Sequence, residues 1–219
     1  MKYYKIIILA LLVLPFVGCE KTETFNNTAD KVGHSRVIFF PIVSLKGERY
    51  VVVPKGGTYT EAGVNAKVGD ATVPTTTAGT VNTATAGVYT LVYTAVNSDG
   101  FSASATRTVI VYSTDASATG NDFSGTYLRA ATGLTSTWTK IAPGVYKVLN
   151  PGGAAAGASL VAILFNSTGN TIKIPSQVSS DGLVSSTTSE AYSAGPPAAY
   201  TWIFLNPGYG TGVRSFVKQ

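Results

Sequence analysis

The stretch GVYTLVYTAVNSDGFSASATRTVIVY, residues 87–112, leaves the chain little conformational choice. Tyr89, Leu91, Tyr93 and Ala95 fall on one face of an extended segment, and Val88, Thr90, Val92, Thr94 and Val96 fall on the other. This is a period of two, which serves a strand and cannot serve a helix. Asn97–Gly100 (NSDG) supplies turn chemistry. The return segment sets Arg107, Val109 and Val111 against Thr108, Ile110 and Tyr112, again with period two. A long antiparallel hairpin follows, and a hairpin needs further strands to bury its apolar face.

The rest of the chain agrees with that class. Charged residues make up only 12% of the 219 residues, while Thr, Ser, Ala, Gly, Val and Tyr abound. Such a composition favours short strands and tight turns over helices. The formal charge is +5. Two of the 16 basic residues, Lys2 and Lys5, lie in the first 18 positions; without that segment 14 basic residues face 11 acidic ones. No basic stripe is present of the kind that nucleic-acid binding requires.

Residues 1–18 read as a signal segment: a positive start at Lys2 and Lys5, an apolar run from Ile6 to Val17, and small Gly18 before Cys19. The run of 12 is too short to span a bilayer, which takes about 20 apolar residues, and it suits a signal-peptide core. "FVGC" resembles the bacterial lipobox, with Phe16 in place of the usual aliphatic residue. That resemblance implies a diacylglyceryl thioether on Cys19 and acylation of its freed amine. Several acyl chains hold a protein far more firmly than one. Cys19 is the chain's one cysteine, so no disulfide can support the fold. Glu20–Gly33 (EKTETFNNTADKVG) is polar and aperiodic, as expected of a tether over residues 19–33. The acidic residues after the cysteine resemble surface-export signals of Bacteroidetes-type lipoproteins.

Residues 34–112 are predicted to form a β-sandwich, starting with the apolar segments RVIFFPIVSL and RYVVVP. Gly87-x-Tyr89-x-Leu91 mirrors the tyrosine corner of immunoglobulin sandwiches, with Leu91 at the core position and the Tyr89 hydroxyl bonded to nearby backbone. YTEAGVNA, GD, GTV, GVYTLVYTAVNSDGF and TRTVIV occur in order between residues 59 and 111. Together they resemble the Ig-like repeat of bacterial surface proteins, also known from crystal toxins. The version here is similar to one in Bacteroidetes lipoproteins in which a small second β domain follows. The resemblance implies an Ig-like sandwich used as spacer or adhesive module. Related repeats often carry Asp at the turn where this chain has Asn97. Asp70 and Asp99 alone are too few oxygen ligands for calcium, and no metal or other cofactor is expected.

A polar linker, residues 113–121, leads to a second predicted domain, residues 122–219. Its segments GTYLRAA, STWTKIA, GVYKVLN, ASLVAILFN, NTIKIP, AAYTWIFLN and GVRSFVKQ read as seven strands separated by turn signals. They predict a small antiparallel barrel or sandwich. The expected fold is thus all-β: a signal helix, an N-terminal Ig-like sandwich and a C-terminal barrel or sandwich. The opening DFSGTYLR and the C-terminal YTWIFLN and VRSFVKQ resemble the ends of the domain that accompanies the Ig-like repeat in those lipoproteins. NPGGAAAGAS (150–159) departs from the aromatic, Gly-rich loop expected there.

Catalysis finds little to build on. Asp181 and Glu190 are the best pair for a glycosidase, but both sit in turn-like polar stretches, and His34 has no nucleophile or ligand cluster near it in sequence. Aromatic faces stack on sugars, which brings Trp138, Tyr192, Tyr200, Trp202 and Tyr209 forward. Trp202 alternates with Tyr200 and Phe204 and reads as core, as does Trp138. Tyr192 and Tyr209 lie in Gly/Pro/Ser-rich surroundings and are the candidate ligand contacts. The expectation is a lipid-anchored, non-catalytic protein of the cell outer membrane, with a glycan or a surface protein as its partner.

Overall fold

The computed structural model describes residues 37–219. The signal segment with its expected helix, Cys19, the expected tether and His34 lie outside the described residues. Residues 38–219 form one compact unit.

The all-β expectation holds. Residues 41–112 make two facing sheets. One has the order β1 (Pro41–Leu45), β3 (Val64–Val68), β4 (Ala71–Thr72); the other has the order β2 (Tyr50–Pro54), β7 (Ser102–Tyr112), β6 (Gly87–Val96), β5 (Thr75–Ala78). The expected hairpin is β6–β7, paired from Gly87↔Val111 to Val96↔Ser102. Leu91, Tyr93, Val109 and Val53 form the core between the sheets. The tyrosine corner is made: the Tyr89 hydroxyl donates to the Thr85 carbonyl at 2.8 Å, and Leu91 is buried at the core position.

The first edge of this sandwich changes sheets. β1 pairs antiparallel with β3, whereas β2 runs parallel to β7 in the opposite sheet. The crossover, residues 46–49, lies on the surface, but its Lys46 and Glu48 carbonyls turn to part-buried positions and take side-chain partners. Arg107 supplies them. Its guanidinium donates to the carbonyls of Glu48 and Lys46, each at 2.7 Å, and of Gly63 at 3.1 Å, while its Nε sits 3.1 Å from a Glu61 carboxylate oxygen. The inward period-two slot that Arg107 occupies therefore serves the crossover.

A single helical turn, α1 (Ala116–Thr119), follows, capped by Asp115, whose side chain accepts from the Ser117 amide. The rest is one eight-stranded antiparallel sheet in the order β11, β10, β9, β8, β15, β14, β13, β12, rolled into a nearly closed barrel. The strands are β8 (Gly125–Arg129), β9 (Leu134–Ala142), β10 (Val145–Leu149), β11 (Val161–Phe165), β12 (Gln177–Val178), β13 (Val184–Ser193), β14 (Ala199–Leu205) and β15 (Arg214–Lys218). Aromatic rings fill the interior. Trp138 stacks on Trp202 (5.6 Å between centroids, 11° between planes) and Tyr200 stacks on Phe216 (4.6 Å, 13°). Both tryptophans are fully buried, as their alternation predicts.

Two strand assignments change. NTIKIP makes only one isolated bridge, Phe165↔Lys173, although Ile172 and Ile174 do point into the core. β13 is a ten-residue strand hidden in Ser- and Thr-rich sequence. Its inward Ser185 and Thr187 are buried polar residues, and a bulge between Thr188 and Ala191, with Ser189 at φ 56°, interrupts the alternation. A hydrophobic pattern cannot report a strand whose inward side chains are hydroxyls.

The seam between β11 and β12 is closed by a side chain. The Gln177 amide accepts from the Ile163 N–H at 2.8 Å and donates to the Ile163 carbonyl at 2.7 Å, standing in for a neighbouring strand's backbone. Gln177→Ala leaves both buried backbone groups of Ile163 unpaired, at an expected cost of about 2–3 kcal/mol. Amide exchange of Ile163 measures it: its protection should fall more than that of β9 amides, and unchanged protection would refute the closing role.

The sandwich and the barrel share a hydrophobic cluster. Ile110, Val145 and Ile163 are buried together, with Tyr50, Val52, Val88, Ile141 and Phe165 packed around them. The second face of β7 is therefore covered by the barrel, and Val109, Ile110 and Val111 are all inaccessible.

Candidate functional site

The loop after β14 begins with Asn206, which organises its surroundings. Its Nδ2 donates to Asp181 Oδ2 (2.9 Å) and to Ser185 Oγ (3.0 Å), and its Oδ1 accepts from the Gly208 amide. Asp181 is held further by the Leu183 amide on Oδ1. These bonds set the 180s turn beside the Asn206–Gly210 loop, and Tyr209 projects between them.

Tyr209 is seated against NPGGAAAGAS. A Cβ at Gly152 or Gly157 would overlap its ring or hydroxyl, so the glycines of that loop make room for the tyrosine. Phe204 meets the ring edge-on at 5.1 Å, and the Arg214 guanidinium lies over it at 5.2 Å. Burial raises the phenol pKa above its usual value, with Asp181 adding to the effect and Arg214 opposing it. The group is thus neutral at physiological pH. Asn150, at φ 54°, anchors the same loop by donating to the Thr135 carbonyl and accepting from the Ala154 amide.

The result is a groove of about 440 Å³ framed by Arg49, Ser159, Asp181, Asn206 and Tyr209. Arg49 comes from the sandwich, on the crossover next to β2, and the other four from the barrel. This lining combines a guanidinium, a carboxylate, an amide, a hydroxyl and an aromatic side chain. Such a set suits a neutral, hydroxyl-rich ligand, whose oxygens need both donors and acceptors.

Tyr192 stands elsewhere. Its ring stacks on Phe123 at 4.0 Å and tilts against Trp138 at 6.4 Å, and its hydroxyl is 3.5 Å from that of Tyr127. It borders one groove of about 570 Å³ with Glu190, Asn170 and Lys173, and an apolar one of about 250 Å³ with Tyr200 and Phe216. The two candidate tyrosines therefore do not meet in one groove: Tyr209 belongs to the polar groove, and Tyr192 sits against the aromatic core. Nor do Asp181 and Glu190 converge. Asp181 lines the Tyr209 groove, while Glu190 accepts from the Thr187 hydroxyl at 2.6 Å and lines the other. Among the described residues no group of three or more His, Cys, Asp or Glu side chains could hold a metal. No helix there is long and apolar enough to cross a membrane.

Sequence reasoning singled out Tyr209 and weighed Asp181 only as half of an acid pair. It missed Arg49 and Asn206. The NPGYG turn signal marked Asn206 as loop chemistry, but nothing local signals Arg49, whose neighbours in the groove lie more than 100 positions away.

An Ig-like sandwich joined to an aromatic-filled barrel places the chain among modular β proteins. Residues 43–111 match the family model described as "Bacterial surface protein, Ig-like domain", in agreement with the resemblance carried by GVYTLVYTAVNSDGF and TRTVIV. Among solved structures, the chain is similar to a lipoprotein from Bacteroides thetaiotaomicron at 25% identity. That match covers 82% of this chain and all of the other, with a TM-score of 0.43. No curated protein matches.

Proposed function

We propose that this is a lipid-anchored cell-envelope protein of the outer membrane, with Cys19 carrying the lipid, and that its role is non-catalytic binding of a glycan in the groove around Tyr209. The observation that carries the ligand class is the lining of that groove: mixed donors and acceptors beside an aromatic ring, with one carboxylate and no second one in the same cavity. A lone carboxylate accepts hydroxyl protons but cannot supply the paired acid and base that glycoside hydrolysis uses. The family match to a surface-protein Ig-like domain supports the location. The lipobox-like FVGC motif supports the anchor.

A glycan array followed by calorimetry on residues 20–219 tests the binding. Binding is expected, and Asp181→Ala is expected to weaken it by at least about tenfold, the loss of one charge-assisted hydrogen-bonding site. Absence of binding across a broad panel would rule the glycan reading out. A stoichiometric protein partner recovered from native envelope would then favour a structural module of a surface complex.

The anchor has its own test. Cys19→Ala is expected to release the protein from the membrane fraction with its circular dichroism unchanged. Mass spectrometry of the membrane-extracted wild type that shows Cys19 without acyl chains would overturn the lipid assignment.

A further inference from the structure

We propose that the end of the sandwich at which the described chain begins is a bilayer-contacting surface that dips its phenylalanine side chains into the lipid interface. This rests on the lipid anchor at Cys19.

Five large apolar side chains lie exposed there. Phe39, Phe40, Ile42, Val96 and Phe101 are between 42% and 67% accessible. They come from the entering chain and β1, from the end of β6 and from the start of the return strand. Contacts fix the phenylalanines: Phe40 and Phe101 pair with centroids 4.9 Å apart, and the ring of Phe39 lies over Gly69. Three loop tips, at residues 38–40, 69–70 and 97–101, thus present one apolar end.

Asn97 builds this end. Its Oδ1 accepts from the amides of Asp99 and Phe101, and its Nδ2 donates to the Phe39 carbonyl at 2.9 Å. An aspartate could make the first two bonds but has no N–H for the third. The Asn at this turn, where related repeats often carry Asp, therefore ties the Phe39–Phe40 segment to the Phe101 turn.

The occupant follows from where the chain leads. Seventeen residues lie between Cys19 and Val37, a reach of at most about 65 Å even when fully extended. A lipid on Cys19 keeps this apolar end within that distance of the bilayer. The charges around the patch are mixed: Lys67 lies opposite Ile42 in register, and Asp70 and Asp99 sit in the two turns. Attraction to anionic headgroups does not fit such a surface, whereas insertion of apolar rings does, because it needs no charge and aromatic side chains suit the lipid–water interface.

The test uses Phe40→Trp in the full lipidated protein, reconstituted in phosphatidylcholine vesicles with brominated acyl chains. Trp138 and Trp202 are buried and contribute a constant background. Emission from Phe40→Trp should be quenched by the brominated lipid, and that from Leu183→Trp, an exposed barrel position, should not. In parallel, unlipidated Cys19→Ser protein should partition weakly onto the same vesicles, with no dependence on salt. Adding Phe40→Ser and Phe101→Ser should lower that partitioning by about tenfold. The unlipidated arm reads the patch without the anchor, so a failed anchor and a failed patch give different results. Three results would overturn the proposal: no quenching at Phe40→Trp in the reconstituted protein, shielding of that tryptophan from aqueous quencher without vesicles that is lost when residues 20–34 are deleted, or a solution dimer that Phe40→Ser dissolves.

Discussion

Trp202→Ala is expected to destabilise the protein by about 3–5 kcal/mol, the range for emptying a large aromatic site that cannot collapse. Trp202 lies at the centre of the barrel, stacked on Trp138, tilted against Tyr200 at 4.5 Å and edge-on to Phe216 at 6.1 Å. Its Nε1–H donates to the Pro151 carbonyl at 3.0 Å, so the variant also leaves that carbonyl without its donor. Pro151 belongs to the loop that seats Tyr209, and the loss should reach the groove as well as the core. Urea unfolding followed by circular dichroism measures the effect. Val213→Ala, at an exposed position, should change stability by no more than about 0.5 kcal/mol. A loss below about 1.5 kcal/mol for Trp202→Ala would mean the barrel interior repacks, contrary to the close aromatic packing.

The second large effect is expected at Arg107. Arg107→Met removes the donor to the Lys46 and Glu48 carbonyls, one of two donors to the Gly63 carbonyl and the charge partner of Glu61, and losing these hydrogen bonds from a buried charged group costs about 2–4 kcal/mol. The Lys46 and Glu48 carbonyls lose the donor that ties the crossover between β1 and β2 to the core, while the Gly63 carbonyl keeps the Lys46 N–H. Glu61→Gln should cost less, about 1 kcal/mol, because its carboxylate is partly solvated and a solvated pair is weak.

The two partners are separated further by pH. Burial raises the Glu61 pKa, but hydrogen bonds from Tyr59 and the Gly63 amide, with the nearby Tyr93 hydroxyl and the charge of Arg107, outweigh it and leave the value below the usual carboxylate range. Between the folded and unfolded pKa values the unfolded state binds more protons. The Glu61 contribution is thus fully present above about pH 4.3 and is lost as pH falls through the lower folded value. The stability gap between wild type and Glu61→Gln should therefore narrow on acidification below pH ~4. A gap that stays constant to pH ~2 would show that the ionised carboxylate is not what Arg107 requires.

Legibility in the sequence followed the range of the interactions. The β6–β7 hairpin, the tyrosine corner and the burial of Trp138 and Trp202 could be read because each is written in alternation or in a motif a few residues long. β13 could not, because Ser and Thr pointing inward erase the hydrophobic signal that marks a buried face. Tyr209 was recognisable as a loop aromatic, but its seat on Gly152 and Gly157 was not. That seat joins segments about 50 positions apart, and the glycines look locally like ordinary turn residues. Gln177 reads as a polar residue between loops until β11 is placed beside it.

By itself the sequence determined the period of each strong strand, the turns between them and hence an all-β chain without disulfides. It also determined which side chains share a face, since side-chain alternation is a local property of extended backbone. What each face meets was decided by tertiary structure. Ile110 and Val88 lie on the face that a free sandwich would leave to water, and here the barrel covers it. Arg107 is a lone charge in an apolar row, and only the crossover between β1 and β2 gives it partners. The groove around Tyr209 takes Arg49 from one half of the chain and Asp181 and Asn206 from the other. No local pattern can encode such a meeting, because it arises only when the two halves pack.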